Sequence, residues 1–167
     1  APAQVLATLE RAQAAAPEAL TPGLAIIHHH LRNREFSKAL SLAQKLGAAN
    51  PNDVRVIDAL ARAQMAAGDT QQAISSLNRL ALLRPQSTVP FTMLADVHRS
   101  AKDMAAAEQA LRKALAIRPD AIDTQARIAS LLVERGDNEG ALKVARTVQQ
   151  QHAADPAGYV LEAEIHA

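Results

Sequence analysis

The sequence predicts an all-α chain: a right-handed superhelical solenoid of antiparallel helix pairs, with about ten helices. Three observations carry that prediction. Prolines stand at Pro17, Pro51, Pro85 and Pro119, each 34 residues from the next, and a fixed period of roughly 20–50 residues marks an array of stacked units. Ala39, Ala73, Ala107 and Ala141 keep the same spacing without exception. Apolar residues make up 49% of the chain but aromatics only 2%. A chain so rich in alanine must bring its helices close through small side chains, whereas a sheet would call for more Val, Ile and aromatic residues.

The period divides residues 1–167 into a single array. It comprises a half unit at 1–17, full units at about 20–53, 54–87, 88–121 and 122–155, and a half unit at 156–167. Residues Ala3 to Ala15 form an amphipathic helix with Val5, Leu6, Leu9 and Ala12 on one face. Pro17 ends it. On the 34-residue phase this is the second helix of a unit whose first helix is missing. With Ala1 rather than Met at its start, the chain reads as a fragment or a processed form.

Each full unit then follows one plan. In the first, Thr21-Pro22 reads as an N-cap followed by proline at the first helical position. That helix runs to about Asn33, Arg34-Glu35 makes the turn, and Phe36 to Leu46 is the second helix. The second unit has helices over Asn52 to Ala67 and Thr70 to Leu83, broken by Gly68-Asp69, with Asp69 and Gln72 spaced as a capping box. The third begins at Val89-Pro90, turns at Lys102-Asp103 and continues from Met104 to Ile117. The fourth has helices over Ala121 to Arg135 and Asn138 to Gln150, around Gly136-Asp137. Pro156 to His166 is a first helix without its mate, and Tyr159 keeps the register of Ile57 and Phe91. Ile26, Leu60, Leu94 and Ile128 form the column expected to be buried, followed by Ile27, Ala61, Ala95 and Ala129. The alanine column at 39, 73, 107 and 141 marks where two helices approach too closely for a larger side chain.

The aligned units resemble the tetratricopeptide repeat (TPR). The third shows the pattern most fully, as Phe91, Leu94, Ala95, Asp103, Ala107, Leu111, Ala114 and Pro119. The chain departs from the common pattern in lacking Trp and in placing His30, Gln64, His98 and Leu132 where Tyr is usual. Three stretches are similar to the PEP-CTERM system TPR-repeat lipoproteins: Leu31 to Leu46, Ala49 to Asp53, and Asp155 to Glu164. That resemblance implies a periplasmic scaffold tethered to the outer membrane of a bacterial envelope and linked to exopolysaccharide export and exosortase protein sorting. The lipid-bearing Cys of such a protein is not in this sequence. The alternatives are a TPR segment of another secretion or polysaccharide-export apparatus, or a cytosolic TPR adaptor.

Composition narrows the function classes. With 18 basic and 17 acidic residues the net charge is +1, which is not the footprint of a nucleic-acid binder. No cysteine is present, so neither disulfides nor thiolate metal sites arise. No apolar run reaches the roughly 18 residues that would insert into a membrane. Nucleophile motifs and phosphate-binding glycine loops are absent, and Asp120/Asp123 sit at a helix start, where they favour the dipole. The expectation is therefore no catalysis and no cofactor. His28-His29-His30 is not expected to hold a metal either, because consecutive helical residues point about 100° apart. His30 and His98 share a core column and read as helix-packing histidines.

What remains is a surface. In such arrays the concave face is lined by first helices and usually binds the partner. Turned away from the buried column there are Leu24 and His28; Arg55, Asp58, Arg62 and Met65; Thr92, Asp96 and Arg99; and Asp123, Arg127, Ser130 and Glu134. The expected partner is a protein or peptide in that groove. TPR proteins that grip a C-terminal carboxylate carry Lys and then Asn four residues on. Leu24/His28, Asp58/Arg62, Thr92/Asp96 and Ala126/Ser130 stand there instead, which disfavours a chaperone-tail receptor. Asp58 and Arg62, at i and i+4, can simply pair with each other, and a plain solvated face is the alternative reading.

Overall fold

The computed structural model describes residues 2–17 and 19–167, so residue 1 of the first half unit lies outside it. Among the described residues all regular structure is α-helical: α1 (Pro2–Ala15), α2 (Leu20–Arg32), α3 (Phe36–Ala49), α4 (Val54–Ala67), α5 (Thr70–Leu83), α6 (Val89–Ser100), α7 (Met104–Ile117), α8 (Ile122–Glu134), α9 (Asn138–Gln151) and α10 (Ala157–His166). These are the expected helix pairs, with ends displaced by three residues or fewer. The chain divides into two compact units, residues 1–83 and 84–167. The division falls between the second and third full repeats.

In the first unit each helix packs on the next, and α2 also packs on α4. The core joins Ile27, Ala39, Ala43, Leu46, Val56 and Ala63, ringed by Leu20, Leu24, Leu31, Leu40, Leu42, Ala59 and Leu60. In the second unit consecutive helices again pack together and α10 rests on both α9 and α8. Ala39, Ala73, Ala107 and Ala141 are completely buried. A methyl is all that fits between paired helices there, and alanine fills the gap without loss of side-chain freedom. In the expected buried column, Ile26, Leu94 and Ile128 are buried and Leu60 is half-buried against Gly47.

The turns inside the four full repeats are built alike. Arg34, Gly68, Lys102 and Gly136, 34 residues apart, all adopt left-handed φ, at 59°, 81°, 62° and 80°. This residue reverses the chain, so that the next N–H returns to the first helix: Glu35 to the His30 carbonyl, Asp69 to Gln64, Asp103 to His98 and Asp137 to Leu132. The acid after it opens the second helix. Asp103 and Asp137 accept from the N–H groups of Ala106 and Gly140 through their side chains. At Asp69 the backbone carbonyl takes the Ala73 N–H, and no side-chain bond of the expected capping box with Gln72 is seen among the described contacts.

Two other expectations change. Thr21 does not cap α2: the helix starts at Leu20 after Ala19, which makes no side-chain cap. Thr21 and Pro22 therefore lie in the first turn, where proline's missing N–H costs nothing. Tyr159 keeps its register but is 60% exposed. Ile57 and Gln125 of the same column are buried.

Candidate functional site

The first-helix residues predicted to bind a partner lie partly in each unit. In the first, Leu24 is drawn against the core rather than left free. His28 is exposed and Met65 half-exposed. Arg55 is turned to the start of its own helix, where its guanidinium pairs with Asp53 at 2.7 Å. Asp53 also accepts from the Arg55 and Val56 N–H groups as the cap of α4. The hydrogen bond from the Arg55 side chain is the main reason the Asp53 carboxyl falls to about 2, with the backbone bonds adding and desolvation opposing. Arg62 Nε donates to Asp58 Oδ2 at 2.8 Å, so the pairing expected from their spacing is made.

In the second unit Thr92, Asp96, Arg99, Arg127 and Ser130 come together. Arg127 of α8 reaches across to α6 and donates to both the Asp96 carboxylate and the Thr92 carbonyl. Arg99 donates to Glu134 at 3.3 Å. Asp123, at the start of α8, is exposed. Helices α6 and α8 are bridged by these long side chains, whereas α2 and α4 pack directly. The gap between them is a pocket of about 110 Å³ lined by Asp96, Arg99, Arg127 and Ser130 over Ala95, Leu111 and Leu131. A pocket of that size admits one side chain. Its rim offers guanidinium donors, a hydroxyl and carboxylate acceptors, and its floor is aliphatic.

Sequence reasoning misses the floor. Leu111 belongs to a second helix, outside the first-helix face, although the Leu-x-x-Ala spacing of Leu111 and Ala114 already places it inward. Nor does the sequence show partners for the turn acids. Glu35 is bonded to His30 Nδ1 at 2.6 Å and to Lys38 Nζ at 2.7 Å. His98 faces Asp103 at 3.8 Å in the same register, and Gln64 accepts from Ser76. At three of the four positions where Tyr is usual, a polar side chain thus faces its turn or the following helix, Leu132 being the exception. Around His28, His29 and His30, Asn33 donates to His29. Among the described residues no group of three His, Cys, Asp or Glu is placed to hold a metal ion, and no helix is long and apolar enough to cross a membrane.

Comparison with known proteins accounts for this architecture. A tetratricopeptide repeat model matches residues 30–96 and 98–165, most of the chain. The chain belongs to the tetratricopeptide repeat family. Solved TPR structures share its fold. A thermophilic TPR protein of Thermus thermophilus is 21% identical, with a TM-score of 0.70 over 96% of this chain and 88% of that one. MamA, residues 41 to the end, from Desulfovibrio magneticus RS-1 is 14% identical, with a TM-score of 0.80 over 92% and 87%. A TPR protein from Parabacteroides merdae is 15% identical, with a TM-score of 0.76 over 96% and 64%. A search of the curated proteins finds no match to the sequence.

Proposed function

We propose that this TPR chain is a non-catalytic scaffold that holds a protein or peptide on the faces of its first helices. The observation that carries the reading is the pocket between α6 and α8, where Arg99, Arg127 and Ser130 present donors beside the Asp96 carboxylate above an aliphatic floor. A peptide offers both donors and acceptors along its backbone, and one of its side chains fills a cavity of that size. TPR proteins in general act as scaffolds of this kind. The finer assignment is a segment of a bacterial envelope lipoprotein, on the periplasmic side of the outer membrane, serving exopolysaccharide export and exosortase sorting. It rests on the resemblance of Leu31 to Leu46, Ala49 to Asp53 and Asp155 to Glu164 to the PEP-CTERM system TPR lipoproteins.

Affinity capture tests the scaffold reading. Arg62→Glu and Arg99→Glu should abolish retention of a partner, while Lys113→Glu and Lys143→Glu on second helices should leave it intact. Equal loss from both sets would remove the first-helix face from consideration. The envelope assignment is tested separately, by fractionating cells that express the complete reading frame. Recovery as a lipid-modified outer-membrane protein supports it, and recovery in the cytosol refutes it.

A further inference from the structure

We infer that the first unit carries a second, proton-coupled binding site, for a tetrahedral oxyanion, between α1 and α3. An open pocket there is lined by Glu10 of α1, His30 of α2, and Ser37, Lys38, Ser41 and Lys45 of α3, with Leu6 and Leu42 between them. Ser37, Ser41 and Lys45 recur every four residues, so one edge of α3 presents two hydroxyls and an ammonium in line. No described group pairs with Lys45.

The floor gives the site its specificity. The His30 side chain is only 9% exposed and its Nδ1 is held by the Glu35 carboxylate at 2.6 Å. Lys38 grips the other oxygen of that carboxylate at 2.7 Å. An imidazole tethered through Nδ1 is fixed in orientation, and its remaining nitrogen, Nε2, stays available. His30 Nε2 makes no bond to any described group and is not among the buried unpaired atoms, and the ring lines the pocket. His29, the neighbouring ring on α2, lies edge-on to His30 at 6.1 Å. Helix α4, on the other side of α2, contributes no group to the lining.

The charges around the pocket decide when an anion is held. Lys38 and Lys45 are offset by Glu35 and Glu10, so with His30 neutral the surroundings carry no net charge. Protonation of His30 adds a positive charge at the floor and makes Nε2 a donor aimed outward. A phosphate or sulfate group then receives donors from His30, Lys45 and the two serine hydroxyls, a donor set with no carboxylate among its members. Binding is therefore coupled to proton uptake at the pocket floor and strengthens as pH falls.

The test is a titration of the intact chain with inorganic phosphate and, in a parallel arm, sulfate, at constant ionic strength against chloride. It is followed by the NMR shifts of the His30 ring and of the α3 amides. Saturable shifts confined to His30, Ser37, Ser41 and Lys45 are expected, with affinity higher at about pH 5.5 than at about pH 8. Sulfate stays a dianion across that range, so its arm isolates the protein's proton from that of phosphate. Lys45→Gln and Ser41→Ala, both at exposed positions, should each weaken binding by about tenfold or less without unfolding the chain. Shifts that never saturate, that spread over all basic residues, that ignore pH in the sulfate arm, or that persist unchanged in Lys45→Gln would overturn the site.

Discussion

Arg127 of α8 gives one guanidinium nitrogen to two acceptors on α6, the Asp96 carboxylate and the Thr92 main-chain carbonyl. That link crosses a gap which the corresponding helices of the first unit close by direct packing. It also explains why two residues chosen from sequence as separate contributors to a binding face form a single structure. Asp96 and Arg127 are 49% and 36% exposed, so solvent screens their attraction. A double-mutant cycle with Asp96→Asn and Arg127→Gln, followed by urea denaturation, should give a coupling of about 0.3–1 kcal/mol that shrinks in salt. A coupling of several kcal/mol, unchanged by salt, would contradict the exposed geometry.

The alanine column should be intolerant of bulk. Ala73 and Ala107 have no exposed surface, and leucine at either position must push two helices apart. Ala73→Leu and Ala107→Leu are expected to lose about 1–3 kcal/mol of stability, or to fail to fold. Ala105→Leu, at an exposed position on the same helix as Ala107, should change stability by less than about 0.5 kcal/mol. Thermal denaturation of the three variants separates the outcomes.

The left-handed turn residues give a prediction in both directions. Lys102 holds φ 62° with a side chain that opposes it, while Gly68 holds φ 81° freely. Lys102→Gly should gain about 0.5–1 kcal/mol and Gly68→Ala should lose about 1 kcal/mol, since a Cβ at Gly68 meets nothing within 4 Å and only its own backbone strain is added. Should Gly68→Ala prove neutral by chemical denaturation, the recurrent turn would not need its glycine.

Glu35 links stability to acid. Its carboxyl is lowered from 4.5 to about 2, first by the Lys38 hydrogen bond and then by that of His30. A carboxyl depressed in the folded state contributes stability that is fully present above its unfolded value and is lost as pH falls through the folded one. The stability gap between the wild-type chain and Glu35→Gln should therefore close as pH falls from about 4.5 to about 2. A gap that stays constant over that window in urea melts would remove the ionised carboxylate from the account. Because the side chain is one-third exposed, the whole effect should be modest.

Zinc should leave the melting temperature unchanged, because among the described residues no group of three His, Cys, Asp or Glu is placed to hold a metal ion and His28 has no second ligand at helical spacing. A rise of several degrees that disappears in His28→Ala would show a metal site.

The repeat phase, the helix pairs, the glycine and acid turns and the fully buried alanine column can all be read from the order of residues. Each is dictated locally: by the 3.6-residue helical period, by the backbone freedom of glycine, and by the small volume of alanine repeated at a fixed interval. Even the place of His30 and His98 at the helix interface follows from their shared column. Tertiary structure decided which side chains spend their polar groups on one another. Leu24 turned to the core, Arg55 to its own helix cap, and Arg127 across to Thr92 and Asp96. Asp96 and Arg127 are 31 residues apart in sequence, and no local rule fixes the distance between two first helices. That distance follows from how whole helices pack. It sets whether a cleft with an aliphatic floor at Leu111 opens between them, and whether a buried histidine keeps one nitrogen free beside a line of serines and a lysine.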